Sequence, residues 1–115
     1  MAKRAYEFFP AESVEPAPCA GDVPALSERI LSLDPHSGAA SRILTFAPGT
    51  DTTPNGVLTH DFWEEVYILT GSITDLRLGE TFTAGMYACR PPGMEHGPWR
   101  TTEGCTTFEV RYYAP

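Results

Sequence analysis

The 115-residue sequence has no apolar run of membrane-spanning length, no CxxC pair, no internal repeat and no excess of basic residues. Each absence excludes something. A membrane helix needs about 20 consecutive apolar residues, so no span is expected. The start, MAKRAYEFFPAE, lacks the apolar stretch and small-residue cleavage site of a secretory signal. Cys19, Cys89 and Cys105 are odd in number and irregularly spaced, which is not the pattern of a zinc knuckle. Reduced thiols in a cytoplasmic protein are the simplest reading, with Cys89 and Cys105 as small core residues. Only 8 basic side chains stand against 15 acidic ones, a formal charge of −7. Such a surface repels phosphate backbones and anionic lipid, so neither nucleic acid nor membrane is an expected partner.

What is present is core material. Apolar residues are 42% of the chain and aromatics 11%, enough for one folded domain at this length and inconsistent with a disordered body. Residues 1–24 carry Pro10, Pro16, Pro18 and Pro24. They read as an extended arm, because proline fixes φ and removes backbone donors. The arm lies against the barrel or crosses to a partner subunit. Residues 25–115 form the domain proper.

Within it, short strand-like segments alternate with turn residues: 26–33, 41–47, 57–60, 65–78 interrupted at Gly71, and 106–113. No segment carries a 3.6-residue apolar stripe over three turns. Many short strands with evenly spaced turns predict an all-β sandwich or barrel.

Two clusters carry chemistry. The first runs His60-Asp61-Phe62-Trp63-Glu64-Glu65 and closes at Gly71; the second runs from Gly85 through Pro91-Pro92-Gly93 to His96. Imidazole nitrogens with a carboxylate oxygen suit borderline divalent metals, and two His with one carboxylate leave coordination positions open for substrate or dioxygen. His60, Glu64 and His96 are therefore the candidate metal ligands, with Glu64 and His96 the candidate catalytic groups.

The spacing resembles the two cupin motifs, G(x)5HxH(x)3–4E(x)6G and G(x)5PxG(x)2H(x)3N. The second is matched at Gly85, Pro91, Gly93 and His96, with Arg100 in place of the usual Asn. The first is matched at His60, Glu64 and Gly71, with Leu58 where the first His would stand. The runs HDFWEEVYILTG and RPPGMEHGPW are similar to the anti-sigma-factor-like branch of small single-domain RmlC-like cupins. The resemblance spans roughly residues 40–113. It implies a cupin-type double-stranded β-helix (jelly-roll) barrel, one divalent metal ion (Fe, Zn, Mn or Ni), and a homodimer. It also implies four protein ligands, of which this chain supplies three.

Leu58 shares a strand face with His60 and so faces the pocket, as an apolar wall. Phe62, Trp63, Tyr87 and Trp99 line the pocket as an aromatic wall or serve ordinary core or interface packing. Asp61 either orients His60 or is a loop carboxylate. Glu65 and Glu95 are expected to be solvated, and Glu109 with Arg111 to face solvent or to stand behind the ligands. His36, in a Pro-Ser-Gly turn, has no assigned role.

The leading functional expectation is a metal-dependent enzyme acting on a small organic molecule, dioxygenase-like with Fe(II). Lewis-acid isomerase, lyase or hydrolase chemistry fits the same ligands. The alternatives are a non-catalytic small-molecule-binding or sensor cupin, and a barrel with no metal.

Overall fold

The computed structural model describes residues 3–114; the arm's residues 1–2 and residue 115 of the domain lie outside the described residues. Eight strands follow one another: β1 (Ala17–Pro18), β2 (Leu26–Leu33), β3 (Ala40–Phe46), β4 (Trp63–Asp75), β5 (Glu80–Thr83), β6 (Tyr87–Arg90), β7 (Trp99–Arg100) and β8 (Cys105–Tyr112). Two single 3-10 turns, Ala11–Ser13 and Thr53–Asn55, complete the regular structure. The main path runs β1-β2-β3-β8-β4-β5, with β6 and β7 also paired to β4. Every pairing is antiparallel. The curled sheet is a jelly-roll barrel, all-β as the many short strands predicted and of the architecture that the cupin resemblance implied. No helix among the described residues is long and apolar enough to cross a membrane.

Strand β4 is the hinge of the barrel. Its first half pairs with β6 and β8, and its second half with β5 and β7. The segment 65–78 was expected to be interrupted at Gly71; the strand instead runs through it, from Trp63 to Asp75. Gly71 has φ +79°, and a Cβ there would lie 2.0 Å from the Gly104 carbonyl oxygen. Only glycine lets β4 turn the corner against that loop. The segment 57–60, read as a strand, contributes a single bridge instead, Leu58 opposite His96.

Period-2 alternation sets the interior. On β4, Glu64, Val66 and Ile68 are buried, while Tyr67 and Leu69 are exposed. Facing them on β8 are Cys105, Thr107 and Glu109, and on β3 Leu44 and Phe46. One end of the interior is an apolar core of Val23, Leu26, Leu44, Phe46, Ile68, Ile73 and Cys105, joined by Cys19, Phe82 and Trp99. The other end is polar. Cys105 belongs to the core as expected, but Cys89 is exposed. It sits beside Glu65 in the ladder, on the outward side of a strand whose inward residues are Ala88 and Arg90.

The arm lies on the barrel over its second half. Residues 17–18 pair with β2, the Arg29 Nε donates to the Val14 carbonyl at 2.9 Å, and the Asp22 N–H donates to Asn55 Oδ1 at 3.1 Å. Cys19, Ala20 and Gly21 thereby reach the wall of the internal cavity.

Candidate metal centre

Glu64 points inward because it alternates with Trp63 and Glu65 on β4. His96 arrives from the loop after the Pro91-Pro92-Gly93 turn. That loop is held by the reciprocal pair in which Leu58 N–H donates to the His96 carbonyl (2.8 Å) and His96 N–H to the Leu58 carbonyl (3.0 Å), while Gly93 N–H donates to the His60 carbonyl (2.9 Å). These bonds hold the chain at Leu58 and at His60 itself. One side-chain donor atom from each of His60, Glu64 and His96 falls within 4.8 Å of the others. The imidazole rings of His60 and His96 are 4.9 Å apart between centroids, and His96 Nε2 is 4.0 Å from Glu64 Oε1.

The donor chemistry fits a metal. His96 Nδ1 lies 3.2 Å from the Met94 carbonyl oxygen, which only accepts, so Nδ1 carries the proton and Nε2 presents a lone pair toward Glu64. Burial, with the Arg90 charge nearby, pulls the His96 pKa from 6.5 down to about 4, so the ring is neutral at pH 7, as a ligand must be. The His60 ring stacks on Phe62 with centroids 4.5 Å apart and planes within 10°, which fixes its orientation. Bonds of 2.0–2.2 Å put two donors of one ion at most about 4.3 Å apart. The widest separation in the cluster exceeds that by roughly half an ångström, within reach of a small χ adjustment.

A second feature was not anticipated from the sequence. Arg90, opposite Glu64 on β6, donates from Nη1 to Glu64 Oε1 at 2.8 Å, and its guanidinium lies over Trp99, 5.4 Å from the ring centroid. On the other side of Glu64, Arg111 on β8 is its cross-strand partner; its guanidinium carbon is 5.6 Å from the centroid of Phe62. Cross-strand neighbours on one face are the ordinary currency of sheet contacts, but the partner of a strand residue is invisible until the register is known.

These groups open onto one cavity of about 630 Å³. Leu58, Phe62, Tyr87 and Trp99 line it together with His60, Glu64 and His96. Trp63 is not among the lining residues: it is adjacent to Glu64 in an extended strand and so belongs to the opposite face, where it pairs with Tyr112. Tyr87 borders the cavity, but its hydroxyl turns to Glu65 on the outer face, which also accepts from Tyr112 at 2.6 Å. Asp61 is exposed and meets the Tyr113 hydroxyl at 3.5 Å, with no bond to His60 among the described residues.

Glu109 and Arg111 were expected to face solvent or to stand behind the ligands; both line the cavity, and Glu109 is buried. Glu109 Oε1 accepts from Arg42 Nη2 at 2.7 Å and Nε at 3.0 Å, and Oε2 from Thr107 Oγ1 at 2.8 Å. Arg42 Nη1 reaches Glu28 at 3.1 Å. Beside this network the Cys19 thiol is pushed up to about 12, chiefly by burial and by its hydrogen bond to Glu28, so it stays protonated and unreactive.

Comparison with known proteins agrees with this architecture. The profile of a family described as the ChrR cupin-like domain matches residues 17–113. A crystal structure of an RmlC-like cupin from Shewanella frigidimarina superposes with TM-score 0.74 at 21% identity, covering 99% of this chain and 96% of that one. The polyketide cyclase RemF from Streptomyces resistomycificus gives TM-score 0.73 at 18% identity, covering 96% and 81%. An acetylacetone dioxygenase from Acinetobacter johnsonii gives 0.72 at 17%, covering 97% and 75%. No curated protein matches the sequence.

Proposed function

The chain belongs to the ChrR cupin-like domain family, and from that premise we propose that it is a metal-dependent enzyme acting on a small organic molecule, with His60, Glu64 and His96 as ligands of one divalent ion. The observation that carries this reading is the convergence of those three donors within 4.8 Å on the wall of a cavity large enough for a small substrate. A two-His, one-carboxylate set supplies an ion with open positions, suited to polarising an oxygen of the substrate or to dioxygen chemistry. Dioxygenase-like chemistry is the leading assignment, and the likeness to an acetylacetone dioxygenase makes β-diketones the first compounds to try.

The chain's own residues supply the rest. Leu58, Phe62 and Trp99 give the cavity part of its apolar lining. The Met94 carbonyl holds the His96 tautomer. Glu64 binds Arg90 through Oε1, and no described donor meets Oε2, which leaves that oxygen for the ion or for a proton of the substrate.

Purified protein should carry close to one equivalent of Fe, Zn, Mn or Ni by elemental analysis, reduced to background in His60→Ala and His96→Ala. Fe(II)-loaded protein should consume oxygen with a diketone or phenol, and Glu64→Ala should not. Absence of metal from protein refolded with each ion in turn rules out the metal reading.

One observation favours a second reading, a non-catalytic small-molecule-binding or sensor cupin. The sole ligand carboxylate is already engaged by Arg90, and an apolar Leu58 stands where a fourth ligand would. Saturable ligand binding independent of metal, with no product formed, marks that outcome.

A further inference from the structure

Glu64 is flanked by arginines on both neighbouring strands, Arg90 on β6 and Arg111 on β8, and both line the cavity. Their circumstances differ. Arg90 is neutralised by Glu64 and covered by the Trp99 ring. Arg42, also on the cavity wall, is held by Glu28 and Glu109, and Arg77 donates to the Glu95 carbonyl at 3.2 Å. Arg111 is half-buried and lies over Phe62, yet among the described residues no carboxylate comes within ion-pair distance of it. A partly desolvated guanidinium loses hydration that, among the described residues, no counter-ion replaces. A planar fork of donors in that state is a receptor for a planar anion.

We propose that the ligand of this cavity is a small organic acid, its carboxylate gripped by Arg111 and its apolar body resting against Phe62 beside the His60, Glu64 and His96 cluster. The proposal names the ligand class of the site assigned above and rests on that reading for its chemistry, but the gripping side chain lies outside the ligand set. Phosphate esters are the less suited anion. Phosphate sites typically recruit rows of backbone N–H groups at helix N-termini, and the described chain has no α-helix. The acidic exterior, with a net charge of −7, makes the contrast sharper: a cavity able to admit an anion needs a local cation, and among the described residues Arg111, the cross-strand partner of Glu64, lines the cavity with no ion pair.

The test compares benzoate with its uncharged isostere benzamide by calorimetric titration of the metal-free protein and of protein loaded with Zn, each with its metal content measured. Benzoate should bind at least about tenfold more tightly than benzamide, the discrimination expected of one charge-assisted pair. Arg111→Gln should remove that difference by lowering benzoate affinity far more than benzamide affinity, and Arg111→Lys should recover part of it. Equal binding of benzoate and benzamide to the wild-type protein overturns the proposal without any variant. Undiminished benzoate binding in a folded Arg111→Gln protein overturns it too, as does inorganic phosphate binding more tightly than benzoate. The metal measurement separates the two readings. Benzoate selectivity in protein that takes up no metal retires the metal assignment and keeps the acid-binding site; metal uptake without selectivity does the reverse.

Discussion

Leu58 and His96 face each other as a reciprocally hydrogen-bonded antiparallel pair, N–H to carbonyl in both directions at 2.8 and 3.0 Å. Directly opposed residues of such a pair send their side chains to the same face, and both line the cavity. Position 58 therefore shares with His96 the wall that faces the candidate ligand cluster. An imidazole there should complete a four-ligand set, so Leu58→His is expected to raise Zn affinity by about tenfold or more. Competition titration against a chromophoric chelator measures it. An affinity equal to wild type means that the side chain at 58 does not reach the ion.

Arg90 is predicted to stabilise the metal-free protein and to compete with an ion for Glu64. Its pair with Glu64 is largely buried, with side-chain exposures of 12% and 7%, and deleting one member of such a pair strands the other charge. Arg90→Met should lower metal-free stability by about 2–4 kcal/mol, read by urea unfolding. With the cation gone, Glu64 is free for an ion, so saturating Zn should raise the melting temperature of Arg90→Met by more than it raises that of the wild type. Identical increments mean that Arg90 does not compete for Glu64.

The Glu28, Arg42 and Glu109 network is predicted to be structural. Its donors and acceptors are mutually satisfied, with Thr107 completing Glu109, and no buried side-chain polar atom among the described residues lacks a partner. Glu109→Ala should cost about 2–4 kcal/mol of stability, because Arg42 keeps its charge and loses its better partner. Metal stoichiometry should be unchanged. Loss of metal in a folded Glu109→Ala protein would show that the network reaches the ligand cluster.

The all-β class was legible from the sequence because both of its signals are local, while the jelly-roll architecture came from the resemblance to the cupin motifs. Turn residues punctuate the strands, and alternation such as that around Phe108 and Val110 marks two unlike faces. The ligand cluster was legible because the spacing His60, Glu64, His96 is itself the signal. What was not legible depends on which strand lies beside which. Arg90 and Arg111 meet Glu64 only through the β6-β4-β8 register. Glu109 meets Arg42 only through the β3-β8 register. Alternation alone leaves open which face of β8 is interior, and two charged residues on one face suggested the solvent side. Trp63 illustrates the converse: its neighbour Glu64 was assigned inward, and strict alternation in an extended strand then sends Trp63 to the other face.

His96 makes the metal-free protein acid-sensitive. In the unfolded chain its pKa is near the ordinary 6.5, and in the native protein it is held at about 4 by burial first and by the Arg90 charge second. Between those values the unfolded chain binds more protons than the native one, so stability rises with pH across that window and is fully present above it. The difference of roughly 2.5 units corresponds to about 3 kcal/mol lost as the pH falls from 6.5 to 4. Carboxylates titrate toward the lower end of that range, so the decisive measurement is differential. Urea unfolding of wild type and His96→Gln at matched pH should give a wild-type curve that falls more steeply between pH 6.5 and 5, where few carboxylates change charge. Parallel curves over that interval would place the proton elsewhere. The direction matters for the site as well, since the environment that penalises the imidazolium keeps the Nε2 lone pair available at neutral pH.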